Sequence, residues 1–231
     1  MGDTGSRNPN TIARNVFIGF GWCMALMGVT ATTIKNVMLG EWFASYALVA
    51  NAVFFNLWVV LILWVLTLVI AGALYSGRNL RDAGKVVLLT LFGLVSGGFM
   101  GPVTAIAAVF GISFNVAILI AGAVFFVPAL IGWLSRSELT HWFPWLLGLL
   151  TVGVLALVVN LFVPTSFVSV VVSILVIAVF IPLVIYDVNQ IKYRLQDNEW
   201  QIGVVNLFLD MLNILIRVLF LLLQFFGENR R

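Results

Sequence analysis

From residue 15 to residue 226 the chain is a succession of apolar runs, each near the ~20 residues an α-helix needs to cross bilayer hydrocarbon. Seven can be drawn, over 15–33, 50–75, 86–109, 114–134, 143–163, 165–186 and 202–226. Hydrocarbon offers no water to backbone groups, so such runs must close their hydrogen bonds internally, and runs of this length do so as helices. With 62% of its residues hydrophobic and 9% charged, a chain of 231 residues has too little polar surface for soluble domains. The expectation is an all-α membrane protein of seven transmembrane helices, with a polar cytoplasmic tail over 1–14 and a single transmembrane domain over 15–231. The tail lacks an apolar core followed by a cleavage site, so no removable signal peptide is expected. Only "VPT" at 163–165 separates the fifth and sixth runs, which demands a helical hairpin with a minimal turn.

With the N-terminus inside, the cytoplasmic segments collect Arg7, Arg14, Arg78, Arg81, Lys85, Arg136, Lys192 and Arg194, and the opposite side has Lys35, Arg230 and Arg231. The excess favours that orientation. The terminal arginine pair dissents, and a re-entrant last segment would satisfy it only by exposing non-helical backbone at depth, so seven full spans are retained. A net charge of +3, held at helix ends, addresses lipid headgroups and topology, not nucleic acid. Cys23 is the sole cysteine, which excludes an internal disulfide and a cysteine-based zinc site.

Enzymatic sites are scarce. His141 is the only histidine and falls in the 135–142 loop, so no HExxH zinc site, serine–histidine dyad or three-histidine metal site can be built. No Walker-type phosphate loop occurs, and Lys35, Lys85 and Lys192 all lie near span ends, leaving no mid-membrane Schiff-base lysine. No resident cofactor is expected, and the chain is expected not to be an enzyme.

Polar residues do recur in the last span. In "VVNLFLDMLNILIR", 204–217, the residues Asn206, Asp210, Asn213 and Arg217 are offset by four, three and four, so at about 100° per residue they share one helical stripe. A charge near mid-helix costs roughly 2.5–3.5 kcal/mol on insertion scales, and such residues usually face a bundle interior or a water path, which marks Asp210 as functional. Asp187, in "IYDVNQIK" at the inner end of the sixth span, has two readings: an ordinary helix-end residue at the headgroup level, or a partner for Asp210 across an antiparallel hairpin. Two carboxylates in a low-dielectric site cannot both ionise cheaply, so they tend to share a proton. Sharing ties the helices together, and losing the proton drives them apart unless a cation enters. The pair would be a proton switch that couples pH, helix separation and divalent cations. Arg217 opposes it if its charge pins Asp210 as the anion. Asn206 and Asn213 read equally well as pathway residues or as plain interhelical donors. An aspartyl protease is the poorer alternative, because Asp210 is preceded by "LFL" and not by the flexible glycines of a GxGD motif.

Further features concern shape. Gly93, Gly97 and Gly101 recur every fourth residue, and close helix packing is their simplest reading. Pro128 and Pro182 lie within spans, the latter just ahead of Asp187, where a kink is expected. "FVPALIGW" at 126–133 echoes "FIPLVIYD" at 180–187, which suggests that hairpins 3–4 and 5–6 are related by a parallel repeat.

The segments "GGFMGPVTAIAAVFG" (97–111), "IGWLSRSEL" (131–139), "GLLTVGVLALVVNLFV" (148–163), "IYDVNQIK" (185–192) and "VVNLFLDMLNILIRVLFLL" (204–222) together resemble the transmembrane Bax-inhibitor-motif family, in its bacterial branch. The most specific pieces are Tyr186–Asp187 with a basic residue shortly after, and the Leu–Asp–x–x–Asn run at 209–213. The resemblance implies a seven-helix fold whose last helix is central and surrounded by the other six, in a bacterial cytoplasmic membrane. It also implies a di-aspartyl pH sensor that gates a calcium leak, with Asp187 and Asp210 in the sensor positions as weak, transient Ca²⁺ ligands. Asn206, Asn213 and Arg217 would line the path. A non-enzymatic regulator of membrane proteases or other membrane-protein partners is the rival reading. One departure is plain: residues 50–75 contain no acidic or basic side chain, where family members often carry charges.

Overall fold

The computed structural model describes residues 8–39, 46–77, 80–163 and 165–227. Arg7, Arg78, Pro164, Arg230 and Arg231, all weighed above, lie outside them. The described residues form seven α-helices and no strand: α1 Pro9–Leu39, α2 Tyr46–Ser76, α3 Asp82–Val109, α4 Phe114–Leu134, α5 Phe143–Phe162, α6 Ser166–Tyr193 and α7 Trp200–Gly227. Six are long and apolar enough to cross a bilayer, and in α2 the stretch Leu61–Ser76 is apolar too. Outward apolar side chains fit a hydrocarbon surrounding: Trp145 is 79% exposed and Phe162 82%.

The first helix starts earlier than the apolar run suggests. Asn8 Oδ1 accepts from the backbone N–H groups of Asn10 at 3.1 Å and Thr11 at 3.4 Å, and Pro9 follows it as the first helical residue. This is an N-cap with proline at N1, a position that needs no amide hydrogen. Residues 9–14, expected in the polar tail, are therefore helical, and Ile12 and Ala13 are buried. At 31 residues α1 extends about 46 Å, longer than the ~30 Å hydrocarbon layer.

The chain divides into two compact units, one of Phe17–Val109 and one of Met1–Val16 with Phe110–Arg231. Inside the first, the glycines of α3 lie against α1. A Cβ on Gly93 would stand 3.0 Å from the Cys23 carbonyl oxygen, one on Gly97 2.6 Å from Thr30 Cβ, and one on Gly101 2.5 Å from Ile34 Cγ2. The four-residue repeat is thus a packing device, and the Cys23 thiol adds a bond to the Leu89 carbonyl at 3.4 Å. Inside the second unit, α6 packs on α4, α5 and α7, and α4 also meets α7. Helices α4 and α6 come close at Gly132, where an added Cβ would lie 3.1 Å from both the carbonyl carbon and the Cα of Ile185. Across the α5–α6 connection, Thr165 Oγ1 accepts from Val168 N–H, and Ser169 Oγ donates to Asn160 Oδ1 at 2.8 Å. Helix α6 continues through Pro182 without interruption.

Helix α7 is unbroken over 28 residues, which excludes a re-entrant last segment. It is also the most deeply buried described span, with 61% of its most apolar window buried against 44% for the next.

Candidate functional site

Helices α6 and α7 pack together and are joined by a short connection that includes a single 3₁₀ turn, Asp197–Glu199. Asp187 sits six residues before the end of α6 (193 − 187) and Asp210 ten residues after the start of α7 (210 − 200), so an antiparallel pairing brings them toward one level. Their carboxyl groups meet within hydrogen-bonding reach. Asp210 is only 5% exposed and its Oδ2 finds no hydrogen-bond donor, and Asp187 is half-buried. Of the two readings of Asp187, the geometry selects the partner of Asp210 over the isolated helix-end residue.

Asn206, one turn before Asp210 on the same face of α7, donates from Nδ2 to Asp187 Oδ1 at 3.3 Å. The site therefore has three members: two carboxyls and one amide donor. Asn213 does not join them, because its Nδ2 donates to the Leu209 carbonyl of its own helix at 2.8 Å. Arg217 is not brought to the pair either. Its guanidinium lies 5.6 Å from the centroid of the Phe220 ring, and no ion pair links it to a carboxylate among the described residues. Seven residues separate it from Asp210, about 10.5 Å along the axis, and the side chain turns to the aromatic ring instead of spanning that rise.

The chemistry open to this cluster follows from its charge. Two ionised carboxyls in contact, with no ion pair to a lysine or arginine among the described residues, repel strongly where the dielectric is low. One shared proton removes the repulsion and supplies a short O–H···O⁻ bond. A cation between them does so as well, but two carboxyls give few of the six to eight oxygens Ca²⁺ takes, so occupancy would be weak. Among the described residues no group of three or more His, Cys, Asp or Glu gathers as a metal site.

The family model described as "Inhibitor of apoptosis-promoting Bax1" matches residues 9–230 of the chain. The chain belongs to this Bax inhibitor family. The match begins at the residue where α1 begins and covers every described helix, so the family assignment applies to the whole bundle and makes the chain an integral membrane protein. No curated protein matches the chain.

Sequence reasoning overlooked two features of this Bax inhibitor family member. Asn189 and Lys192, noticed only as neighbours of Asp187 and as positive charge, bind the segment between α4 and α5. Gln201, at the start of α7, is fully buried with both side-chain polar atoms unpartnered. Its separation from Asp210 by nine residues, a half-turn out of phase, hid it from a search along one stripe.

Proposed function

We propose that this Bax inhibitor family member is a non-enzymatic, pH-responsive leak for cations, Ca²⁺ foremost, governed by the Asp187–Asp210 pair. The observation that carries the proposal is the carboxyl-to-carboxyl contact between α6 and α7, with no ion pair to a basic side chain among the described residues. With one proton between them the carboxyls hold the two helices together, and without it the helices separate or admit a cation. Asn206 tunes the pair through its bond to Asp187. Asn213 and Arg217 serve as residues of the path farther along α7, on the stripe they share with Asp210.

On this reading the membrane is a bacterial cytoplasmic one with the N-terminus inside, an orientation supported by the basic residues: with alternating spans Arg14, Arg81, Lys85, Arg136, Lys192 and Arg194 fall on one side and Lys35 on the other. The test is Ca²⁺ entry into sealed liposomes of defined lipid containing only the purified protein. Entry that depends on pH supports the leak. Liposomes that stay tight at every pH defeat it and leave the regulator of membrane-protein partners as the reading to pursue.

A further inference from the structure

Beyond Asp187, the last two turns of α6 are tied to the segment that leaves α4. Asn189, fully buried, accepts from the Leu139 backbone N–H at 2.9 Å through Oδ1 and donates to the Ser137 carbonyl at 3.0 Å through Nδ2. Lys192 Nζ donates to the carbonyls of Trp133 at 2.8 Å and Ser135 at 2.9 Å, and lies near the faces of the Trp133 and Tyr193 rings. Tyr193 donates its hydroxyl to the same Ser135 carbonyl at 3.0 Å. Arg194 pairs with Glu138 at 3.4 Å and stands beside the Tyr186 hydroxyl.

These bonds answer a need of α4. The last carbonyls of a helix have no partner in the helix, and its C-terminus carries partial negative charge, so an ammonium there satisfies both. Lys192 does this for the end of α4 at Leu134. Asn189 then pairs with the backbone of the next residues much as a strand would, which leaves a connecting segment with fixed shape. Closer to Asp187, the close approach of the Ile185 backbone to the backbone at Gly132 adds a steric stop. From Ile185 to Arg194, about 13 Å of α6, the helix is thus keyed to residues 132–139.

The geometry points to Asn189 and Lys192 as positioning residues for the acidic pair: residues 132–139 and the end of α6 form one rigid piece that sets the height and rotation at which Asp187 meets Asp210. Asp187 cannot slide along α4 without breaking four hydrogen bonds at Asn189 and Lys192. The pair therefore opens by movement of α7 against this piece. The bearing on ion passage rests on the proposed leak, and the bearing on the carboxyl pair does not.

The full-length protein in liposomes is treated with dicyclohexylcarbodiimide, an apolar reagent for protonated carboxyl groups in membranes, and labelling of Asp187 and Asp210 is followed by mass spectrometry. Lys192→Met, Asn189→Leu and the milder Tyr193→Phe are compared with wild type, and hydrogen exchange at Leu139 reports whether the segment has loosened. Lys192→Met and Asn189→Leu should change the labelling rate of the pair by roughly threefold or more, Tyr193→Phe by less in the same direction. Lys192→Arg, which keeps a positive donor for the carbonyls, should lie nearer the wild-type rate than Lys192→Met does. The proposal is overturned if exchange at Leu139 rises while both aspartates label as in wild type, or if Lys192→Arg behaves like Lys192→Met. Should Asn189→Leu not fold, Tyr193→Phe and Lys192→Met decide the matter. A wild type that passes no Ca²⁺ defeats the leak and leaves the labelling result to judge the clamp.

Discussion

Adding a single methyl group at Gly132 tests the packing that holds Asp187 in place. A Cβ there would lie 3.1 Å from the carbonyl carbon and the Cα of Ile185, against the 3.4 Å at which ordinary contact begins. Both atoms belong to the backbone of α6, so no rotamer change relieves the clash, and the helices must part by at least 0.3 Å (3.4 − 3.1), with more needed for the carbonyl oxygen. Overpacking of this kind costs about 1–3 kcal/mol, opposed by the ~0.5–1 kcal/mol that alanine gains over glycine inside a helix. The net loss of up to about 2.5 kcal/mol corresponds to a fall in Tm of up to roughly 10 °C for a chain of this size. Gly122 provides the control in the same helix, because a Cβ there meets nothing within 4 Å. Thermal unfolding of both variants in one detergent should give Gly132→Ala below wild type and Gly122→Ala at or above it. If Gly132→Ala melts as high as Gly122→Ala, the close crossing of α4 and α6 is wrong, and the clamp on Asp187 loses its steric stop.

In the other unit, Gly97→Ala should destabilise more than Gly21→Ala, since a Cβ at Gly97 would be 2.8 Å from the Met27 carbonyl oxygen and one at Gly21 meets nothing within 4 Å; equal melting temperatures would contradict the α1–α3 contact. Gln201 buries an amide with no partner at either polar atom, an arrangement that costs about 1–3 kcal/mol, so Gln201→Met should raise stability by about 1 kcal/mol, and a clear loss would mean that the amide is satisfied. Asn206 donates to Asp187 and so favours its charged form; in Asn206→Leu the midpoint of any pH-dependent flux should move to higher pH, and an unchanged or lower midpoint would remove Asn206 from the site.

Much of the architecture was legible in the sequence because the bilayer permits so few solutions. Every predicted apolar run became a helix, and α4 matches its predicted bounds, 114–134. Ends set by local capping were harder to read from hydropathy. The start of α1 was nevertheless available in "NPNT", an asparagine followed by proline at the first helical position, and hydropathy alone placed it six residues late. The extension of α6 to Tyr193 was hidden because Asn189, Gln190 and Lys192 look like loop residues until their partners in 133–139 are known. Those partners lie 50 to 59 residues away in sequence, and no periodicity encodes them. Within the candidate site, spacing grouped Asn206 with Asp210, and Asn206 does bond Asp187, but spacing grouped Asn213 and Arg217 with them equally. A shared face fixes direction only, and whether a side chain bonds its own helix, as Asn213 does, or an aromatic ring, as Arg217 does, depends on what stands opposite.

The most direct test of the central claim is the pH profile of Ca²⁺ entry into liposomes, measured between about pH 5.5 and about pH 8.5 for wild type, Asp210→Asn and Asp187→Asn. A shared proton cannot survive the loss of either carboxylate, so each variant should lose the wild-type midpoint or shift it by about one unit or more. Three profiles with the same midpoint would contradict the account, since the groups that titrate would then lie elsewhere in the protein.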